Sequence, residues 1–223
     1  MSKSMSLVVM AKAPRFGHSK TRLSQLLKPK ETETLCRAML LDTVDRLRGI
    51  RDCELCLAFT PIHERRWFER NINSGIELMH QRGNDLGERM QHIVKERLLA
   101  GSEAVLIVGS DLPTIPLSYV QRAVELLIQD NIIVIGPAED GGYYLIGMKE
   151  PSPRVFDQIN WGTGLVFQQT LSQAEASGIP VVTIPEWFDV DEPADLERLQ
   201  RDLEKMDERS RPMRTAEFFL SCF

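Results

Sequence analysis

Two patterns of apolar residues alternate along the chain. Short, β-rich runs mark strands at Leu7–Met10, Cys53–Thr60 (closed by Pro61), Ile76–His80, Ala104–Val108, Ile132–Ile135, Tyr143–Met148 and Val181–Ile184. Between them lie segments in which apolar residues recur every three or four positions. Glu31–Arg48 is one; the segment opening at Leu86 is another, with Met90, Ile93, Val94 and Leu98 on the same face and Asp85 placed to cap it. Leu117–Gln129, Gly164–Ser177 and Pro193–Met206 complete the helical set, and Pro193 suits a first turn.

Strand–helix alternation predicts an α/β fold with a mainly parallel sheet covered on both faces. Between Ile132 and Met148 two strands follow each other with no room for a crossover helix, so part of the sheet is expected to be antiparallel. Residues 1–206 read as one domain. The tail, 207–223, is charged and then apolar (Phe218, Phe219, Leu220, Phe223), which suits either disorder or docking on this or another subunit.

Composition narrows the setting. The 223 residues are 43% hydrophobic and 26% charged, enough for a full core without a staple, and the net charge of −5 argues against a nucleic-acid partner. Cys36, Cys53, Cys56 and Cys222 form no disulfide framework. Cys53 and Cys56 match C-x-x-C but fall inside a strand, where positions three apart point to opposite faces, so a redox role is disfavoured. No apolar run approaches the roughly 20 residues of a membrane span, and a cytoplasmic location is expected.

In open α/β sheets ligands sit beyond the carboxyl ends of the strands, so the loops there carry the candidate chemistry. After the first strand comes AKAPRFGHSKTR, with Lys12, Arg15, Lys20 and Arg22 and no acid. Such a loop suits a polyphosphate, and Gly17 would let the backbone approach it. It is not a P-loop, because Ser19 rather than Gly precedes Lys20-Thr21. The fourth strand ends in GSDLP, where Asp111 is either a hard ligand for Mg²⁺ or Mn²⁺ or the cap of the next turn. Asp140, Gly141 and Gly142 follow the fifth strand; they read either as glycines that let a substrate or backbone come close, with Asp140 a base or a ligand, or simply as a hairpin turn. Asp189 and Asp191, spaced i and i+2, share one side of an extended chain, and one of them is expected to join Asp111 on the metal.

Taken together, KAPRFGHSKTRL, QRGNDLGERM, GSDLP, GPAEDGGYYLIG and DVDEPADL resemble a family of small bacterial transferases described as glycosyltransferase-like and associated with radical-SAM/selenodomain systems. That family falls in the nucleotide-diphospho-sugar transferase superfamily, and the resemblance runs from Leu7 to Leu203. More distantly, the first loop and DVDEPADL are similar to phospholactate guanylyltransferase and the molybdenum-cofactor nucleotidyltransferases. The resemblance implies a GT-A-type three-layer sandwich with a mostly parallel mixed sheet. It implies phosphate binding by Lys12, Lys20 and Arg22, base contacts by Gln81 and Asp85, a metal on Asp111 with Asp189 or Asp191, and an acceptor beside Asp140 to Gly142.

The reading that follows is a metal-dependent, nucleotide-using transferase acting on a small-molecule acceptor, with Lys20, Asp111 and Asp140 as candidate catalytic residues. Glycosyl transfer from a nucleotide sugar leads, on the family's description. Nucleotidyl transfer from a triphosphate to a small phosphorylated or acidic acceptor is the alternative, favoured by the density of cations on the first loop. A non-catalytic nucleotide-binding module is the rival from another class.

Overall fold

A computed structural model describes residues 5–15, 20–72 and 75–222 of the chain. Gly17, expected to line the first loop, lies outside the described residues. Seven strands form one sheet: β1 (Met5–Lys12), β2 (Cys53–Thr60), β3 (Glu77–His80), β4 (Val105–Gly109), β5 (Ile133–Pro137), β6 (Tyr143–Met148) and β7 (Val181–Thr183). Their order is β3-β2-β1-β4-β6-β5-β7. β6 runs antiparallel to both β4 and β5, and the other described pairings are parallel. The sheet therefore changes winding direction between β1 and β4. Chains diverge to opposite faces there, which opens a crevice at the carboxyl ends.

Alternation along each strand sorts side chains into two layers. Leu7 and Val9 of β1, with Leu106 and Val108 of β4, pack on one face with α1 (Pro29–Leu47), α2 (Arg65–Asn71) and α4 (Leu117–Gln129). Val8, Val105 and Ile107 point the other way, toward α3 (Leu86–Leu99) and α5 (Val166–Ala176). This is the three-layer sandwich, with a mostly parallel mixed sheet, that the resemblance implied. Cys53 and Cys56 fall into opposite layers, as their spacing requires. Burial pushes both thiols up to about 11, which keeps them protonated and unreactive.

A third apolar cluster covers the outer face of α1. Leu35, Cys36 and Met39 meet α6 (Pro193–Lys205) and a helix within the tail, α7 (Met213–Cys222), through Leu199, Phe218 and Phe219. Of the two fates considered for the tail, α7 takes docking on its own chain. Its anchor is Asp42 on α1, 3% exposed, whose Oδ2 accepts from the backbone N–H (2.7 Å) and hydroxyl (2.8 Å) of Thr215 while Oδ1 accepts from Arg214 (2.9 Å). Among the described residues, no helix is long and apolar enough to cross a membrane.

Candidate functional site

Loops from β1, β4, β5 and β7 converge at the crevice. Asp111 stands two residues past β4. Lys20 reaches it from the β1 loop, held in the left-handed region (φ 51°, ψ 48°) just before a 3₁₀ turn at Thr21–Gln25. Its Nζ lies 2.7 Å from Asp111 Oδ2, 3.3 Å from Asp191 Oδ1 and 4.0 Å from Asp189 Oδ2. The Lys20 side chain is 9% exposed. Burial opposes its charge, yet the three carboxylates outweigh that and hold the ammonium above the ordinary lysine range.

The β7 loop is tied in by its backbone. Val190 N–H donates to the Asp111 carbonyl (3.3 Å), and Asp195 Oδ2 accepts from the N–H groups of Asp191 (2.9 Å) and Glu192 (2.6 Å) as α6 begins. The acids of DVDEPADL thus divide their work: Asp195 holds the turn, and Asp189 and Asp191 face Lys20. Burial raises Asp189; Lys20 offsets part of that, while Asp140 and Asp111 reinforce it, leaving its carboxyl at about 6. The cluster holds more negative charge than its lysine neutralises.

Three clefts meet at Ser110 and Asp111. One of about 320 Å³ runs between β1 and α3 and is lined by Lys12, Thr60, Gln81, Arg89, Met90 and Tyr143. A small one of about 210 Å³ holds Lys12, Lys20, Cys36 and Asp191. Burial, with Asp111 adding to it, pushes the Cys36 thiol there up to about 12. The third, about 370 Å³, is lined by Arg22, Asp140, Gly142, Trp161, Thr163, Asp189 and Asp191.

Several expected residues have particular local duties. Gln81 Nε2 donates to the carbonyls of Ala58 (2.7 Å) and Ala11 (3.1 Å), so Oε1 is the atom available to a ligand in the first cleft. Asp85 caps α3 through Glu88 N–H (2.8 Å). Arg15 forms an ion pair with Glu64, on the side of β2, and Arg22 pairs with Asp191 (3.2 Å) and Glu192 (3.1 Å). Asp140 Oδ1 accepts from Gly142 N–H (2.8 Å), closing the turn between β5 and β6. Gly141 (φ +84°) lies against the next loop; a Cβ there would sit 2.3 Å from the Gly164 carbonyl oxygen. Gly141 O also accepts from Phe167 N–H (2.9 Å).

Trp161 was not singled out from sequence, and Arg89 and Cys36 were given no role at the site. Trp161 is seated by Gly87, where a Cβ would lie 2.7 Å from the indole. The glycine of NDLGERM was the one available signal, and it names no partner.

The comparisons agree with this architecture. The family model described as "Uncharacterized protein conserved in bacteria (DUF2064)" matches residues 43–163. Phosphoenolpyruvate guanylyltransferase of Sphaerobacter thermophilus is 28% identical over 200 residues, covering 87% of this chain and 93% of that one. A solved structure from Desulfovibrio desulfuricans G20, assigned as a nucleotide-diphospho-sugar transferase, superposes with a TM-score of 0.90 at 31% identity, covering 99% of this chain and 95% of that one. At the level of fold alone, the manganese complex of Rv0371c from Mycobacterium tuberculosis H37Rv is similar, with a TM-score of 0.55 at 14% identity over 92% of this chain and all (100%) of that one. With more than half its length matched by the family model, the chain, itself similar to a guanylyltransferase and to a nucleotide-diphospho-sugar transferase, belongs to the bacterial DUF2064 family.

Proposed function

We propose that the protein is a metal-dependent nucleotidyltransferase, moving a nucleoside monophosphate from a triphosphate to a small acceptor with release of pyrophosphate. The observation that carries it is the focal position of Asp111, where a nucleotide-sized cleft, a lysine-lined cleft and an acid-lined cleft meet. Whole-length likeness to a guanylyltransferase favours this reading over glycosyl transfer, the first preference of the sequence.

Asp111, Asp189 and Asp191 set carboxylate oxygens 2.7–4.0 Å from one cation, the Lys20 ammonium. Among the described residues they do not form a ready-made three-ligand metal group, so a divalent ion would be held by one or two of them together with the donor phosphates. Mg²⁺ or Mn²⁺, when bound, supplies neutralisation of phosphate-oxygen charge. Lys12 and Lys20 would hold donor phosphates as point charges, and Gln81 Oε1 would meet the base. Asp140, steadied by Gly142, would accept the proton of the attacking acceptor group. Positioning and fixed charge then supply most of the rate.

The test is product analysis with purified protein, Mg²⁺ or Mn²⁺ and a pool of small metabolites. Acceptor-dependent pyrophosphate from a nucleoside triphosphate, lost on chelation, is expected. Release of a nucleoside diphosphate from nucleotide sugars, with triphosphates untouched, would restore glycosyl transfer. Metal-dependent nucleotide binding with no turnover of either donor would favour the non-catalytic module.

A further inference from the structure

The cleft of about 370 Å³ on the β5–β6 side is where an acceptor would stand, and its lining states a preference. Four carboxylates, Asp111, Asp140, Asp189 and Asp191, face it. Among the described lining residues Arg22 is the cation, and it is shared between Asp191 and Glu192. Lys20 lies behind the same carboxylates and is bound by three of them. One divalent ion, with Arg22 and Lys20, brings these four carboxylates only to neutrality, so no positive charge is left over for an anionic acceptor once nucleotide phosphates arrive. The apolar part of the wall includes an aromatic pair: Trp161 and Tyr143 meet edge to face, with centroids 6.4 Å apart and an interplanar angle of 80°.

We infer that the acceptor is an uncharged, hydroxyl-bearing molecule of sugar-alcohol size, and that Trp161 and Asp140 select it against phosphorylated acids. The inference rests on the nucleotidyl-transfer reading for its role in the reaction. Carboxylates accept hydrogen bonds from hydroxyl groups, and an aromatic face packs against the C–H face of a polyol. A phosphorylated acid would bring at least two further negative charges against Asp140 and Asp189, and like charges at close range reject a partner. In the transfer, the acceptor hydroxyl oxygen bonds to the α-phosphorus and the α–β bridging P–O bond breaks. Pyrophosphate leaves with the electron pair, and the hydroxyl proton passes to Asp140. The specificity would thus differ from that named for the guanylyltransferase of S. thermophilus, whose acceptor by name is a phosphorylated acid.

Binding can be read without turnover. The full chain, with Mg²⁺ and α,β-methylene-GTP, is titrated with myo-inositol or ribitol and, separately, with phosphoenolpyruvate or glycerol phosphate. Tryptophan fluorescence of the wild type minus that of Trp161→Phe isolates the Trp161 signal. If that variant does not fold, saturation-transfer NMR on the polyol protons replaces it. Polyols should bind at least about tenfold more tightly than the phosphorylated acids, a difference of about 1.4 kcal/mol. Asp140→Asn, which keeps the oxygen accepting from Gly142, should narrow that gap. Tighter binding of the phosphorylated acids, or no response to polyols, overturns the inference. Pyrophosphate from GTP is scored separately in the same mixtures: polyol binding without pyrophosphate supports the acceptor class and sinks the nucleotidyl reading.

Discussion

Replacing Lys20 by Met keeps most of the side chain's length and removes its charge from among three carboxylates. At an effective dielectric of about 20, unit charges at the observed separations of 2.7, 3.3 and 4.0 Å attract by about 6, 5 and 4 kcal/mol. Most of that gross attraction is offset by the desolvation of an ammonium that is only 9% exposed. The carboxylates are 29–40% exposed, so water screens what remains. Breaking a buried pair typically costs about 3–5 kcal/mol; with this screening, Lys20→Met should cost about 2–3 kcal/mol. The assay is urea unfolding at neutral pH, first with a chelator and then with millimolar Mg²⁺. The chelated variant should be less stable by that amount. Mg²⁺ should restore more stability to the variant than to the wild type, because the vacated carboxylates gain a counter-ion. A double-mutant cycle with Asp111→Asn should show positive coupling. If Lys20→Met unfolds within about 0.5 kcal/mol of the wild type in chelator, the range of an ordinary surface change, and the cycle shows no coupling, the electrostatic account is wrong.

Three further outcomes follow from the same geometry. Asp111→Asn should fold normally but bind Mn²⁺ at least about tenfold more weakly, since one charged ligand is lost; unchanged affinity by Mn²⁺ electron paramagnetic resonance would move the metal elsewhere. In the native protein at pH 7.5, iodoacetamide should label Cys222, which is exposed, and spare Cys36, Cys53 and Cys56, whose thiols burial holds at about 11 to 12. Mass spectrometry reads this directly, and rapid native labelling of Cys53 or Cys56 would revive a redox role. Asp42→Ala should cost about 2–4 kcal/mol by stranding the buried Thr215 donors and should expose α7 to limited proteolysis before the rest of the chain; a protected α7 would show that Phe218 and Phe219 hold it without the anchor.

Much of the architecture was legible because it rests on local periodicity. The β2 and α4 boundaries, Cys53–Thr60 and Leu117–Gln129, agree with the apolar pattern to the residue, and the missing crossover between β5 and β6 marked the antiparallel strand. Other elements carried too little local signal. α2 offers only Trp67 and Phe68, and only Phe68 is fully buried, at 0% exposure. α7 reads as an apolar run with no stripe, and its partner Asp42 lies 173 residues away from Thr215. Strand ends identified the acids of the site. They could not sort the four cations of the β1 loop, which look alike as a string of letters. Arg15 turns to Glu64, while Lys20, itself in the left-handed region, reaches into the carboxylates. Trp161 escaped notice because its seat, Gly87, is a helical glycine whose reason lies on another loop.

The contact of Gly141 with Gly164 bears on how this site could change over evolutionary time. Two loops that line the third cleft touch backbone to backbone and share a hydrogen bond into α5, with no space between them for even a methyl group. A contact of this kind couples the two loops, so that neither moves without the other. It also restricts the routes to a new substrate. Lengthening or hinging either loop would pull the other with it, so new acceptors are more accessible through exchanged side chains at positions such as 161 and 163 than through a remodelled backbone.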